Sequence, residues 1–389
     1  MTRVKRLGRA CAGRIAALCL GLCIAGCATV APRTPYTLAD ASAASPMAGH
    51  PVRMWARGDT VRYDQVRDEL VAQRRRVGLP PPSTILALSG GSDKGAFSAG
   101  LLNAWTRRGD RPQFDVVTGV STGALIAPFA FLGSSEDATL TQIYTHVSQA
   151  DIFRKRGILG ALGQAGVVDT TPLQTLIARY ITPAFLDRIA AEHRRGRRLF
   201  VVTTNLDAQR GVVWDMGAIA TDPSPDRARL FARVLLASSS IPGAFSPVLI
   251  DATAGGRHFS EMHVDGGAVG GFFAVPRTIL SENASVVLAP DTRIYVLYNG
   301  RLNPTFKVVR KRILSVAGGA LATLLGEIDR NAIDELRDFA RGAKAHLSIC
   351  SIEDDLPSDE KPVFDTVRMR QLYRFGEQAA TIPHSCLTP

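Results

Sequence analysis

No acidic residue precedes Asp40 in this sequence, while Arg3, Lys5, Arg6, Arg9 and Arg14 crowd its start. Those five side chains carry nearly half of the +11 net charge, so the rest of the chain is only mildly basic. Mixed aromatic and basic clusters of the kind that bind RNA are also missing, and no nucleic-acid partner is expected. Mild basicity suits an anionic lipid surface instead. The apolar run at the N-terminus, IAALCLGLCI at 15–24, is ten residues long and far too short to span a bilayer. Cysteine is scarce, six in 389 residues, and none clusters with histidine in a way that suggests a metal site. No metal or other cofactor is expected, and no internal repeat is evident. The composition, 46% hydrophobic and 21% charged with three tryptophans, is that of a globular chain of one large or two ordinary domains.

The basic start, the short apolar run and the tetrapeptide Ile24-Ala25-Gly26-Cys27 together read as a bacterial secretory signal whose end resembles a lipobox. Residues 1–26 are expected to be removed and Cys27 to be lipidated; Cys19 and Cys23 each follow a leucine where cleavage wants a small residue. The alternative is ordinary cleavage near Ala25 or Ala28 with Cys27 unmodified. Ala28 after the cysteine implies sorting to the outer membrane, so the expected location is the cell envelope, lipid-anchored and facing the periplasm. Cys350 and Cys386 then remain in an oxidising compartment and are candidates for a disulfide.

Residues 27–58, rich in Ala, Pro, Ser and Thr, read as a flexible tether. Asp59 opens a helical stretch to about Val77, and Gly78 with the prolines at 80–82 closes a short linker region, 59–82. From 84 on, strand-like runs alternate with helical patterns: 84–88, 96–107, 114–118, 122–132 and 138–149. More strands are expected at 199–204, 212–215, 247–250 and 294–298, and a helix start at Asp169 or Thr170 before Pro172. Such alternation predicts an α/β domain with a mostly parallel sheet. Residues 307–341 read as one long helix with Val309, Ile313, Val316, Ala320, Leu324 and Ile328 on a single face. Its basic opening and apolar middle allow a membrane-lying surface; the expectation is a core helix carrying solvated lysines. Residues 346–389 are read as a C-terminal extension.

Two glycine-rich turns carry the chemistry. ILALSGGSDKGAFSAGLLNAW, 85–105, is a strand turning through glycine into a helix, an arrangement that offers backbone N–H groups to an anion. It is not a P-loop, because Lys94 precedes Gly95 and Ala96 stands at the hydroxyl position. It also fails the dinucleotide pattern, since Ser92 replaces the middle glycine. The second turn, GVSTG at 119–123, lies between a strand and a helix, the setting of a nucleophile elbow, with Ser121 at the helix N-terminus. A serine needs a base. None of the seven histidines, 50, 146, 193, 258, 263, 346 and 384, stands out by spacing, but Asp265-Gly266-Gly267 ends an alternating strand-like run. Taken alone, each of these stretches also fits an ordinary turn or an N-capping serine.

GGSDKG at 90–95, GVSTG at 119–123, ASSSIPGAFSPV at 237–248 and DGG at 265–267, in that order, resemble the motifs of the patatin-like phospholipases. The resemblance covers roughly residues 83–300 and implies a three-layer α/β/α domain, placed here at 83–345. It implies a serine acyl hydrolase of lipid esters, of phospholipase A or lysophospholipase type, with Ser121 as nucleophile, Asp265 as its base and membrane lipids as substrate or surface. The amides of Gly90, Gly91 and Ser92 would form the oxyanion hole, with Lys94 orienting the loop or simply facing solvent. Ser92 departs from the family's glycine triplet, so a left-handed backbone there would be strained. Two other readings are an α/β-hydrolase with a Ser–Asp–His triad and a lipid-binding lipoprotein without turnover.

Overall fold

Along Thr84–Leu88, Ile85 and Ala87 pack into one apolar cluster and Leu86 and Leu88 into another on the opposite face. A strand buried on both faces belongs to a sheet covered by helices on both sides. The computed structural model describes residues 33–47, 50–156, 166–274, 289, 291–304, 306, 308–352, 362–382 and 386–387. The signal segment 1–26 and Cys27 lie outside the described residues.

The strands are β1 (Arg53–Trp55), β2 (Thr84–Leu88), β3 (Val116–Val120), β4 (Arg154–Lys155), β5 (Val168–Asp169), β6 (Arg198–Asn205), β7 (Arg210–Asp215), β8 (Val248–Ala254), β9 (Arg257–Asp265), β10 (Arg293–Tyr298) and β11 (His346–Ser351). The helices are α1 (Leu38–Ala43), α2 (Thr60–Arg76), α3 (Gly95–Arg108), α4 (Thr122–Leu132), α5 (Asp137–His146), α6 (Gln149–Ile152), α7 (Thr171–Tyr180), α8 (Pro183–Arg194), α9 (Met216–Thr221), α10 (Arg227–Ser238), α11 (Ile313–Ala343) and α12 (Thr366–Thr381). The five central strands, ordered β6-β3-β2-β10-β11, are all parallel. Beyond β6 the sheet continues antiparallel through β7 to β1, and β9 with β8 joins it from the same strand.

The larger core lies on one face, where Trp105, Ile126, Phe131, Leu186, Phe231 and Leu372 of α3, α4, α8, α10 and α12 meet Leu86, Val117, Leu199 and Val201. On the other face Tyr63 and Val66 of α2 cover Val120 and Val202, and Ile333, Leu336 and Phe339 of α11 cover Ile85, Ile294 and Val296. The result is three layers, α/β/α.

The segment read as a tether is docked from Arg33 onward. Arg33 pairs with Asp207 at 2.6 Å, Tyr36 stacks on Phe259, and Arg53 pairs with the buried Glu261. Its β1 adds a strand beside β7. A composition poor in periodicity hid these long-range contacts.

The boundary at 346 also falls inside the fold. β11 is the edge strand beside β10, and α12 lies across α3 at very short range. A Cβ on Gly100 would come within 1.9 Å of the Tyr373 carbonyl oxygen, and one on Gly376 within 1.9 Å of that of Phe97. Glycine at those two positions lets the backbones touch. Cys350 and Cys386 are joined by a disulfide, with Cα atoms 5.1 Å apart, tying the chain after α12 to β11.

The long helix departs from expectation in its first half. From Asp329 on, α11 covers the sheet, but Ile313, Val316, Leu321 and Leu324 are exposed rather than in the core.

Candidate active site

The pairing of β6 explains how two distant residues meet. One edge of β6 takes β3 up to the rung Val120↔Val202, and at the next rung β9 replaces it, with Asp265 opposite Thr203. Ser121 is the residue after β3 and Asp265 is the last residue of β9, so they arrive side by side. Ser121 Oγ donates to Asp265 Oδ2 at 2.6 Å, and both residues are buried.

The elbow is held by sterics that only glycine meets. Ser121 has φ 55°, a left-handed value for a residue with a Cβ. A Cβ on Gly119 would lie 2.4 Å from the Gly123 oxygen, and one on Gly123 would lie 2.3 Å from the Leu88 oxygen. The 237–240 segment braces the turn. Ser121 N–H donates to Ser238 Oγ at 3.1 Å, Ser239 Oγ donates to the Ser121 carbonyl at 3.3 Å, and Asp265 N–H donates to the Ser240 carbonyl at 2.9 Å.

Asp265 is held at several points. Gly267 N–H donates to Oδ1 at 2.7 Å, leaving Oδ2 for Ser121, and Thr204 Oγ1 donates to the Asp265 carbonyl at 2.9 Å. Burial pushes its carboxyl up to about 6, against the opposing pull of the Ser121 and Gly267 hydrogen bonds.

None of the described histidines hydrogen-bonds to Ser121 or Asp265. His263 meets Thr203 and Glu261, His193 faces Asp215, His50 faces Asp222 and His146 meets Thr145, while His258 and His346 are exposed. His384 lies outside the described residues.

The glycine loop sits against the elbow, with Gly90 placed so that a Cβ would be 3.2 Å from Ser121 Cβ. One expected donor is already used: Gly90 N–H donates to the Gly271 carbonyl at 2.8 Å. Gly90 therefore anchors the loop, and its amide is not free for an oxyanion. The N–H groups of Gly91 and Ser92 have no partner among the described residues. Gly91 has φ 150° and packs where a Cβ would lie 2.4 Å from the Asn299 oxygen, and Ser92 has φ 59°, the left-handed conformation that costs a serine more than a glycine. Lys94 is half-buried, and its side chain has no hydrogen-bond partner among the described residues. The loop runs into α3 and Ser121 into α4, so two helix N-termini start here, both favouring negative charge.

Three residues that motif reading missed hold the loop. Asn299 N–H donates to Ser89 Oγ at 2.7 Å, its Nδ2 to the Ser89 carbonyl at 2.9 Å, and its Oδ1 accepts from Ser98 Oγ at 2.6 Å. Asp329 accepts from Gly271 N–H and from the Tyr298 hydroxyl, each at 2.8 Å, and burial raises its carboxyl above the usual range. Arg368 of α12 donates through Nε to Asp93 Oδ2 at 2.9 Å. Each is a lone polar residue in sequence, with no spacing to mark it. Ser238 at least lies within the ASSSIPGAFSPV stretch.

The chemistry that this arrangement permits is nucleophilic attack by a serine with a carboxylate as base. A family model described as patatin-like phospholipase matches residues 86–276. No curated protein matches the chain significantly in sequence. Among solved structures, VipD from Legionella pneumophila is similar at 13% identity and a TM-score of 0.31, over 77% of this chain and 67% of that one, a likeness too distant to argue from. Residues 86–276, which contain the glycine loop, Ser121 and Asp265, are a patatin-like phospholipase domain.

Proposed function

We propose that the protein is a serine acyl hydrolase that cleaves membrane-lipid esters, of phospholipase A or lysophospholipase type, through an acyl-enzyme on Ser121. The observation that carries this reading is the 2.6 Å hydrogen bond from Ser121 Oγ to Asp265 Oδ2. With a carboxyl raised to about 6, Asp265 is mostly ionised at neutral pH yet basic enough to accept a proton.

As Ser121 Oγ attacks the ester carbonyl, its proton passes to Asp265 Oδ2. The carbonyl oxygen takes the negative charge, facing the N–H groups of Gly91 and Ser92 and the start of α4. Collapse of the tetrahedral intermediate breaks the C–O bond to the leaving alcohol, which takes the proton from Asp265. Water then attacks the acyl-Ser121 ester, giving its proton to Asp265. The fatty acid leaves as Ser121 regains a proton from that carboxyl. No histidine has a part in this sequence.

Cys27, by the same reading, carries the lipid that keeps the domain at the periplasmic face of an outer membrane. The test of the chemistry is covalent capture. A fluorophosphonate should add to Ser121, identified by peptide mass, and defined lipids should release fatty acid and an alcohol-bearing remainder. A protein that releases no acyl group from any phospholipid or lysophospholipid, and whose Ser121 resists the fluorophosphonate, would refute the proposal.

A further inference from the structure

From Ile313 to Gly326 the chain reads ILSVAGGALATLLG, fourteen residues without a charge, and all of it is helix α11. In a globular domain such a stretch packs against a core on at least one side. Among the described residues it does not: Ile313 is 87% exposed and Leu324 63%, with Val316 and Leu321 also exposed. Just upstream, Phe306 is 93% exposed and Val308 is exposed too. The helix reaches the body of the domain only at Asp329, beyond which Ile333, Leu336 and Phe339 cover the sheet.

Charge at the N-terminal end of this face is one-sided. No acidic residue occurs between Asp291 and Glu327, whereas Arg310, Lys311 and Arg312, all exposed, stand directly before the helix. An uncharged helical face headed by three cations matches the boundary of an anionic bilayer, where acyl chains meet phosphate. The stretch is about 21 Å long at 1.5 Å per residue, short of the roughly 30 Å hydrocarbon layer. No helix among the described residues is long and apolar enough to cross a membrane. A stretch of that length suits lying along a membrane surface rather than spanning it.

We infer that Phe306 and residues 308–326 form a membrane-docking arm that lays its apolar face into an anionic lipid surface. Its position ties it to the glycine loop. Asp329, one turn past the apolar stretch, accepts from Gly271 N–H, and the Gly271 carbonyl accepts from Gly90 N–H. The arm therefore leaves the domain beside the loop next to Ser121. Docking there would set the mouth of the site against the lipid surface. The inference does not depend on Ser121 being a nucleophile, and its readout is binding rather than turnover.

The test places tryptophan on the arm of the full-length chain, as Leu324→Trp and separately Ile313→Trp, with a change at the exposed Val61 of α2, Val61→Trp, as control. Each is mixed with vesicles of phosphatidylethanolamine and phosphatidylglycerol whose acyl chains carry bromine. The arm tryptophans should shift to the blue and be quenched while the control is unchanged. With phosphatidylcholine vesicles the binding should be roughly a hundredfold weaker, at about 1 kcal/mol for each of the three cations. The double variant Leu321→Asp, Leu324→Asp should lower partitioning roughly a hundredfold while its circular dichroism spectrum and unfolding midpoint stay at the parent level. Arm tryptophans that stay in water with vesicles present would overturn the inference. So would a blue shift without lipid that accompanies a concentration-dependent dimer, because the occupant would then be a second copy of the chain.

Discussion

Arg368 and Asp93 form a buried ion pair, Nε to Oδ2 at 2.9 Å, that joins α12 to the glycine loop. Residue 368 lies well outside 86–276, so the loop beside Ser121 depends on a part of the chain beyond that span. Removing one partner leaves a buried charge uncompensated, a loss of about 3–5 kcal/mol where the pair is well desolvated. Arg368→Met should therefore destabilise strongly. The double variant Arg368→Met, Asp93→Asn should recover part of that loss, because the stranded carboxylate is gone. Denaturant unfolding of both measures the coupling. In a variant that still folds, kcat on a soluble ester should fall with little change in KM, since the pair positions the loop and binds no substrate.

The Cys350–Cys386 disulfide closes a sequence separation of 36 residues around α12. On the chain-entropy account a loop of that length is worth roughly 4 kcal/mol. Cys386→Ser should lower stability by about that amount, and reductant should have no further effect on the variant. Unfolding curves with and without dithiothreitol check this. At a temperature where the variant remains folded, its soluble-ester activity should stay close to that of the parent.

Lipidation of Cys27 predicts a difference in how firmly the protein is held. The parent should need detergent to leave the membrane fraction and should carry acyl mass on its N-terminal peptide. Cys27→Ala should lose that mass and wash off in high salt or alkaline carbonate, since a surface arm with three exposed cations binds reversibly. A Cys27→Ala protein that still demands detergent would count against the anchor.

Much of the site was legible because steric demands leave few residue choices. Gly119 and Gly123 flank Ser121 where any side chain would strike backbone, so the elbow is written in the sequence as G-x-S-x-G. Asp265 was legible for a similar reason, as the end of an alternating strand followed by two glycines. What stayed hidden depends on tertiary placement. That Gly90 spends its N–H on Gly271 follows from where residue 271 lies, and nothing near position 90 encodes it. Asn299, Asp329 and Arg368 are ordinary polar residues until β10, α11 and α12 carry them to the loop. The stretch from Arg33 to Gly58 looked like linker because its docking rests on separate anchors, Arg33 to Asp207, Tyr36 to Phe259 and Arg53 to Glu261. The helix at 313–343 was legible as a helix, but its periodicity could not say whether its first half met a core.

The dyad makes a sharp mutational pattern. Ser121→Ala should abolish acyl-enzyme formation, and Asp265→Asn should cost nearly as much, each lowering kcat by about 10⁴-fold or more, because residues acting as a unit fail together. Alanine at His50, His146, His193, His258, His263, His346 or His384, one at a time, should leave turnover largely intact in any variant that folds. His193 and His263 are buried, so circular dichroism must accompany their rates. A single histidine change as damaging as Ser121→Ala, alongside an active Asp265→Asn, would replace the dyad with a triad.

The raised carboxyl of Asp265 links activity and stability to pH in opposite directions. The base must be ionised, so kcat/KM on a soluble ester should rise with pH through a midpoint near 6 and level off about one unit above it. Stability runs the other way. In the unfolded chain an aspartate ionises near 3.9, whereas in the folded protein Asp265 holds its proton to about 6. Between those values the folded state binds more protons, so this group's contribution to folding falls as pH rises, and it is flat above about 6. A gap of about two pH units corresponds to a cost of about 3 kcal/mol at neutral pH. Asp265→Asn removes that cost while keeping an oxygen to accept from Gly267 N–H. The inactive variant should therefore be more stable than the parent at pH 8, and the gain should shrink toward pH 4. Denaturant unfolding of the two proteins across that range measures the difference. A gain that does not vary with pH would show that Asp265 titrates in the folded protein as an ordinary carboxylate, which would remove the basis for its action as a proton acceptor near neutral pH.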